Sequence, residues 1–250
     1  MEAYQNLVVN IPHSSRFIPD IFQSLFYLDH EKLKRELLNT TDLYTDELFQ
    51  SVARTLIFPV SRLICDVERF RNEKEEIMSK FGMWICYTRT STQEKLKRVD
   101  AKHKREILKN YYDAYHAMFT RTVEEKLSNY GDCLIIDGHS FPTKNLYYKS
   151  LDIKKLPEIC LGTDSFHTSQ QLSEFTYAYF RSKGLEVAFN KPYRGAIVPL
   201  TQYQRDKAVR SIMIEVNRSI YMDERTGDKK QNFGLVKEIL HEYLKKVSTL

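Results

Sequence analysis

Cysteine, glycine and proline are all scarce in this sequence, and each shortage removes a class of protein. Cys65, Cys86, Cys133 and Cys160 stand far apart, with no CxxC pair and no Cys/His cluster. That excludes a cysteine-rich zinc module. Three of the four sit within or beside apolar runs, where reduced, buried thiols are expected rather than disulfides. Glycines and prolines are spread thinly, with no linker, repeat or low-complexity tract, which favours a single domain over residues 1–250. No window approaches the ~18 consecutive apolar residues of a membrane helix. The opening MEAYQNLVVN lacks the basic region and apolar core of a secretion signal, so a cytoplasmic protein is the expectation.

Charge of one sign is also missing. Lys and Arg total 38 against 33 Asp and Glu, and much of the formal +5 falls in KLKRVDAKHKREILK at 95–109. So mild a bias does not announce nucleic acid. Hydrophobic residues at 42% and charged residues at 28% exclude disorder as a description of the whole chain.

What remains is a succession of short apolar runs and amphipathic stretches. The runs Leu7–Ile11, Thr55–Phe58, Leu63–Asp66, Trp84–Tyr87, Cys133–Ile136, Ile159–Leu161, Glu186–Phe189 and Ser211–Val216 predict strands. Three-to-four spacing predicts helices over about Glu94–Ser128 and along the C-terminal stretch through Val236, Leu240, Tyr243 and Val247. A third helix, about 169–183, opens on Thr168-Ser169-Gln170-Gln171, a capping-box pattern with Thr168 as N-cap; a fourth is expected over Thr41–Leu56. Strands alternating with helices point to an α/β fold, a mixed and largely parallel central sheet flanked by helices on both faces. Such sheets bind ligands beyond the carboxyl ends of their strands.

Four predicted strands end in polar residues. LVVNI runs into Pro12-His13-Ser14-Ser15-Arg16, and SRLIC into Asp66-Val67-Glu68-Arg69. The run at 133–136 leads to Asp137-Gly138-His139-Ser140, and SIMI to Glu215-Val216-Asn217-Arg218. Each has a structural alternative: a turn imidazole at His13 or His139, a capping role for Asp66, a salt bridge for Glu215. Four together, where this fold class keeps its site, point to one pocket. Two histidines with a carboxylate suit a catalytic zinc that keeps an open water position. A nearby glutamate would shuttle protons, and rim arginines would read an anionic substrate. A serine hydrolase lacks its G-x-S-x-G elbow, and a cysteine protease lacks an exposed thiol. Of the other histidines, His30, His103 and His241 are expected at the surface and His116 within an aromatic helix face. His167 precedes a helix start, where it could reach an anion.

With those residues assembled, the sequence resembles the N-formylglutamate amidohydrolase family. The likeness runs through IPHSSRFIP, TDLYTDELF, VSRLICDVERF, LIIDGHSFP, LGTDSFHTS, NKPYRGAIVP and SIMIEVNRSIYMDE. That family is similar in fold to the zinc carboxypeptidases and the aspartoacylase group. The resemblance implies one zinc ion per chain and hydrolysis of an amide in a small anionic N-acyl amino acid such as N-formylglutamate. It implies His13 and His139 as metal ligands and Glu215 as general base. Asp66 would orient a metal histidine, and Arg69 would bind substrate carboxylate. Glu68 stands where the related D-x-N-R block has asparagine. His13 is followed three residues later by Arg16 rather than the glutamate of H-x-x-E, so the carboxylate ligand must lie elsewhere; the recurring TD block makes it Asp42, with Asp46 the alternative. Arg16, Asn190 and Arg194 are the candidates for further substrate contacts. The rival readings are a zinc peptidase acting on peptides or cell-wall fragments, and a non-catalytic protein that captures an anion on the basic 95–109 segment.

Overall fold

The computed structural model describes residues 4–144 and 155–250. Along the chain come β1 (Leu7–Ile11), α1 (Asp20–Gln23), α2 (His30–Thr40), α3 (Thr45–Leu48), β2 (Arg54–Ile57) and α4 (Ala101–Ile107). A π-helical turn (Leu108–Asp113) leads into α5 (Ala114–Tyr130), followed by β3 (Cys133–Phe141), β4 (Ile159–Gly162) and α6 (Gln170–Ser182). The last elements are β5 (Val187–Phe189), β6 (Val209–Asn217) and α7 (Phe233–Val247). Among the described residues no helix is long and apolar enough to cross a membrane.

The strands form one mixed, mostly parallel sheet in the order β2-β1-β3-β6-β4-β5. β1, β3 and β6 run parallel, and β4 returns antiparallel against β6. The two long central strands are buried almost throughout on both faces, which is why their sequences read as apolar runs rather than as alternation.

Contacts divide the chain into two compact units, the first comprising Met1–Ile11, Tyr44–Leu56 and Phe119–Leu250 and holding the central strands. In it, α7 buries Val236, Ile239, Leu240, Tyr243, Leu244 and Val247, one stripe at helical spacing. α6 presents Leu172, Thr176, Tyr179 and Phe180 in the same manner. The hydroxyls buried by this packing find partners: Tyr243 OH lies 2.9 Å from Thr176 Oγ1, and Tyr179 OH donates to Ile239 O at 2.7 Å.

The second unit is Pro12–Leu43 and Ile57–Met118. Its core gathers Phe22, Phe58, Ile64, Cys65, Val67, Trp84, Ile85, Tyr112 and Tyr115. Residues 63–66 and 84–87, expected as strands, are turns and irregular chain instead. Buried Lys97 ties the two segments together by donating to Leu63 O and Tyr87 O, and Trp84 Nε1 donates to Phe70 O at 2.8 Å. Burial lowers the Lys97 pKa to about 8.

Three further expectations are corrected. The helix expected over Thr41–Leu56 is only α3, because Tyr44 adopts a left-handed φ of 69° and the chain straightens into β2. The long helix expected from Glu94 starts at Ala101, where Asp100 caps by accepting from His103 N at 2.9 Å. The N-cap of α6 is Ser169, not Thr168, whose hydroxyl instead donates to Ser211 O at 2.6 Å. All four cysteines are buried free thiols.

Candidate active site

Within the first unit, the register of β1, β3 and β6 builds a polar row inside the sheet. Asn10 is the cross-strand partner of Asp137, and His139 the partner of Glu215. Asp137 and His139 are two residues apart on a strand and so share a face. His139 Nε2 lies 3.1 Å from Asp137 Oδ1, and the same oxygen accepts from Asn10 Nδ2 at 2.8 Å. Asp137 therefore fixes the ring of His139, turning its Nδ1 away from the carboxylate that holds Nε2.

Gly138, between them, faces the other way, where an added Cβ would stand 2.7 Å from Ile11 Cδ1 and 2.9 Å from Phe49 Cδ2. The strand thus continues through Asp137-Gly138-His139-Ser140 to Phe141 instead of turning after Ile136. Ser140, on that second face, accepts from Arg218 Nε at 3.1 Å; both residues are buried.

In the second unit, Asp66 is a fully buried hub. It accepts from His13 Nε2 at 2.9 Å, Arg62 Nη2 at 2.8 Å, Tyr87 OH at 2.7 Å and Glu68 N at 3.1 Å, and Arg69 Nε lies 3.3 Å away. Burial alone would raise its pKa, but Arg62, Arg69 and His13 outweigh burial and hold the carboxyl well below the usual aspartate range. With His13 Nε2 occupied by Asp66, its Nδ1 faces Asp42 Oδ2 and Glu68 Oε2, each 3.8 Å away. Tetrahedral zinc ligands at ~2.0–2.1 Å from the metal stand roughly 3.3–3.4 Å apart. A nitrogen and two carboxylate oxygens at 3.8 Å are thus near the spacing of a metal's donor set, and their chemistry fits zinc.

Each half repeats one device: an imidazole whose Nε2 is held by a buried aspartate, Asp66 for His13 and Asp137 for His139. This carboxylate–histidine pairing favours the tautomer with its proton on Nε2 and the lone pair on Nδ1.

The remaining candidates are placed as follows. Asp42 is buried, whereas Asp46 is exposed on α3. Arg69 keeps about a fifth of its side chain exposed while Asp66 and Tyr87 OH, at 3.1 Å from Nη2, hold its head. Arg16 and Arg194 are exposed. Both ends of the Asn190 amide bond Thr163, at 3.0 Å to its N–H and 2.9 Å to its hydroxyl. His167 is buried with both ring nitrogens engaged, Nδ1 with Val209 O at 2.7 Å and Nε2 with Gln204 N at 2.9 Å. It packs as a structural residue.

The sequence did not single out Glu68 as a neighbour of His13. The signal was its place two residues after Asp66, since the turn that brings Asp66 Oδ1 to the Glu68 N–H is the one that carries the Glu68 side chain to His13. Asn10, Arg62 and Tyr87 carried no signal of their own; only the register and the hub reveal them.

The family model described as N-formylglutamate amidohydrolase matches residues 5–222. No match is found among curated proteins. Among solved structures, an N-formylglutamate amidohydrolase of Ralstonia eutropha JMP134 is 22% identical, with a TM-score of 0.86 over 100% of this chain and 94% of that one. A gene product of Agrobacterium tumefaciens is 17% identical, with a TM-score of 0.66 over 99% of this chain and 92% of its own.

Proposed function

Since the chain belongs to the N-formylglutamate amidohydrolase family, we propose that it is a zinc-dependent hydrolase that cleaves the amide of an N-acylated acidic amino acid, N-formylglutamate first among them. The observation that carries the zinc reading is the His13 donor set, one nitrogen turned to two buried or half-buried carboxylates while a buried aspartate grips the other nitrogen.

In this reading His13 and Glu68 hold one ion, and the family resemblance makes His139 a further ligand. Asp42, the carboxylate expected from the sequence, lies as near His13 as Glu68 does and shares the role of shaping the charge around it. When bound, zinc supplies a lowered water pKa and polarises the substrate carbonyl.

The protein's own groups do the rest. Glu215, across from His139 in the sheet, accepts a proton from the attacking water and returns it to the leaving nitrogen. Arg69, anchored yet partly exposed, pairs with a substrate carboxylate, and Arg16 and Arg194 supply further positive charge. Asp66 and Asp137 hold the imidazoles so that no reorganisation is needed during turnover. The buried thiols suit the reducing cytoplasm, where this reading places the enzyme.

The test is a hydrolysis screen of N-formyl, N-acetyl and peptidyl derivatives of Glu and Asp with added zinc. Release of the amino acid from an N-acyl derivative supports the reading. Turnover of peptides alone supports a peptidase instead, and turnover of none overturns hydrolysis.

A further inference from the structure

Residues 66–70 carry Asp66, Glu68 and Arg69 yet belong to neither helix nor strand. Their backbone groups are nevertheless satisfied almost one by one. Asp66 N donates to Ile85 O at 2.8 Å, Glu68 N to Asp66 Oδ1 at 3.1 Å and Phe70 N to Glu76 Oε2 at 3.1 Å. The carbonyls on either side of Glu68 are each taken by a side chain from one helical stretch. His116 Nε2 bonds Val67 O at 2.7 Å, and Tyr112 OH donates to Arg69 O at 2.7 Å.

The two rings lie against each other, with centroids 4.4 Å apart. Tyr112 belongs to the π-helical turn and His116 to the start of α5. A π turn carries an extra residue and so rotates the face that follows by about 100° relative to an uninterrupted α-helix. Tyr112 and His116, four residues apart, are neighbours on one helical face, and the extra residue turns that face relative to α4. Burial lowers the His116 pKa, and Val67 O as acceptor puts a proton on Nε2. Arg71, the residue after the loop, pairs with Asp113 through Nε at 2.8 Å and Nη2 at 2.9 Å, so the same helical stretch grips this chain a third time.

We propose that Tyr112 and His116 are positioning residues that fix the Glu68 carboxylate for metal binding, with the π turn as the device that aims them. The inference rests on Glu68 being a ligand, as the functional reading has it. An ordinary packing role would make these residues matter to stability alone. A positioning role makes them matter to the metal beyond their effect on stability.

The experiment uses the full chain stripped of metal and titrated with zinc against a chromophoric chelator, with unfolding midpoints and amide hydrogen exchange measured in parallel. Tyr112→Phe and His116→Phe should each weaken zinc binding by about tenfold, the lower end for groups that orient a ligand. They should also speed exchange at Glu68 and Arg69. His116→Gln, which keeps an N–H for Val67 O, should stay within about twofold of the parent. Tyr243→Phe removes a buried hydroxyl from Thr176 elsewhere; it should lower stability and leave zinc affinity alone. Wild-type affinity in both Tyr112→Phe and His116→Phe, or a loss in Tyr243→Phe as large as theirs, overturns the proposal. Should the parent take up no zinc, the ligand reading of Glu68 fails, and with it the positioning proposal. Zinc uptake without amide hydrolysis instead fails only the proposed activity.

Discussion

Replacing Asp66 with asparagine keeps its size and removes its charge. The wild-type carboxylate serves His13, Arg62, Tyr87 and the Glu68 N–H, with Arg69 beside it at 3.3 Å. The asparagine oxygen can still serve His13 and Glu68 N, but its NH2 group then points at Tyr87 and two guanidinium groups that also need acceptors. Two charge-assisted contacts disappear, at ~1.5–3 kcal/mol each. Breaking a buried pair costs about 3–5 kcal/mol. Arg62 and Arg69 keep 18% and 21% of their side chains exposed, so water recovers part of the loss and the lower end, about 3 kcal/mol, is expected. At roughly 2–4 °C per kcal/mol for a chain of this size, the melting temperature should fall by about 6–12 °C. Urea unfolding followed by far-UV circular dichroism measures the same quantity directly. The acid limb is informative too. Folding holds the Asp66 carboxyl below its ordinary 3.8, so its contribution is complete above that pH and disappears as pH falls through the lower folded value. Asp66→Asn should therefore flatten the fall in stability at the acid end. A loss under about 1 kcal/mol, with an unchanged acid limb, would refute the hub as described.

Two other substitutions probe the sheet and its chemistry. Gly138→Ala places a methyl 2.7 Å from Ile11 Cδ1 and 2.9 Å from Phe49 Cδ2. It should destabilise by ~1–3 kcal/mol in a denaturant titration, as overpacked cores do. Glu215→Gln should retain zinc and lose about 10²- to 10⁴-fold in kcat, whereas His139→Ala should lose metal and activity together. Unimpaired turnover in Glu215→Gln would move the general base elsewhere.

The sheet was legible because its strands are short runs of buried, β-branched residues, and His13, His139 and Glu215 stood out as polar groups set against them. The end of β3 was misread for a physical reason. In Asp137-Gly138-His139-Ser140 neither face carries a large apolar side chain, since one holds the Asp–His pair and the other is kept small for Phe49. Alternation without hydrophobicity looks like a turn. The runs at 63–66 and 84–87 failed in the opposite sense. Leu63, Ile64, Cys65, Ile85 and Cys86 are as buried as strand residues, but Lys97 and its neighbours replace a strand ladder with side-chain bonds to the backbone. Composition reports burial and cannot report which donor meets a carbonyl. The left-handed Tyr44, which holds the helix start back to Thr45, is neither glycine nor asparagine, so nothing in the sequence announces it. The long-range partners are less legible still: Asp66 and His13 are 53 residues apart, and only the fold brings them to 2.9 Å.

The most direct test of the central claim is metal dependence with one defined substrate. Protein stripped with a chelator, reloaded with increasing zinc and assayed for glutamate release from N-formylglutamate should gain activity in proportion to bound metal, saturating at one ion per chain. Full turnover by the stripped protein, or a chain that takes up no stoichiometric zinc, would contradict it.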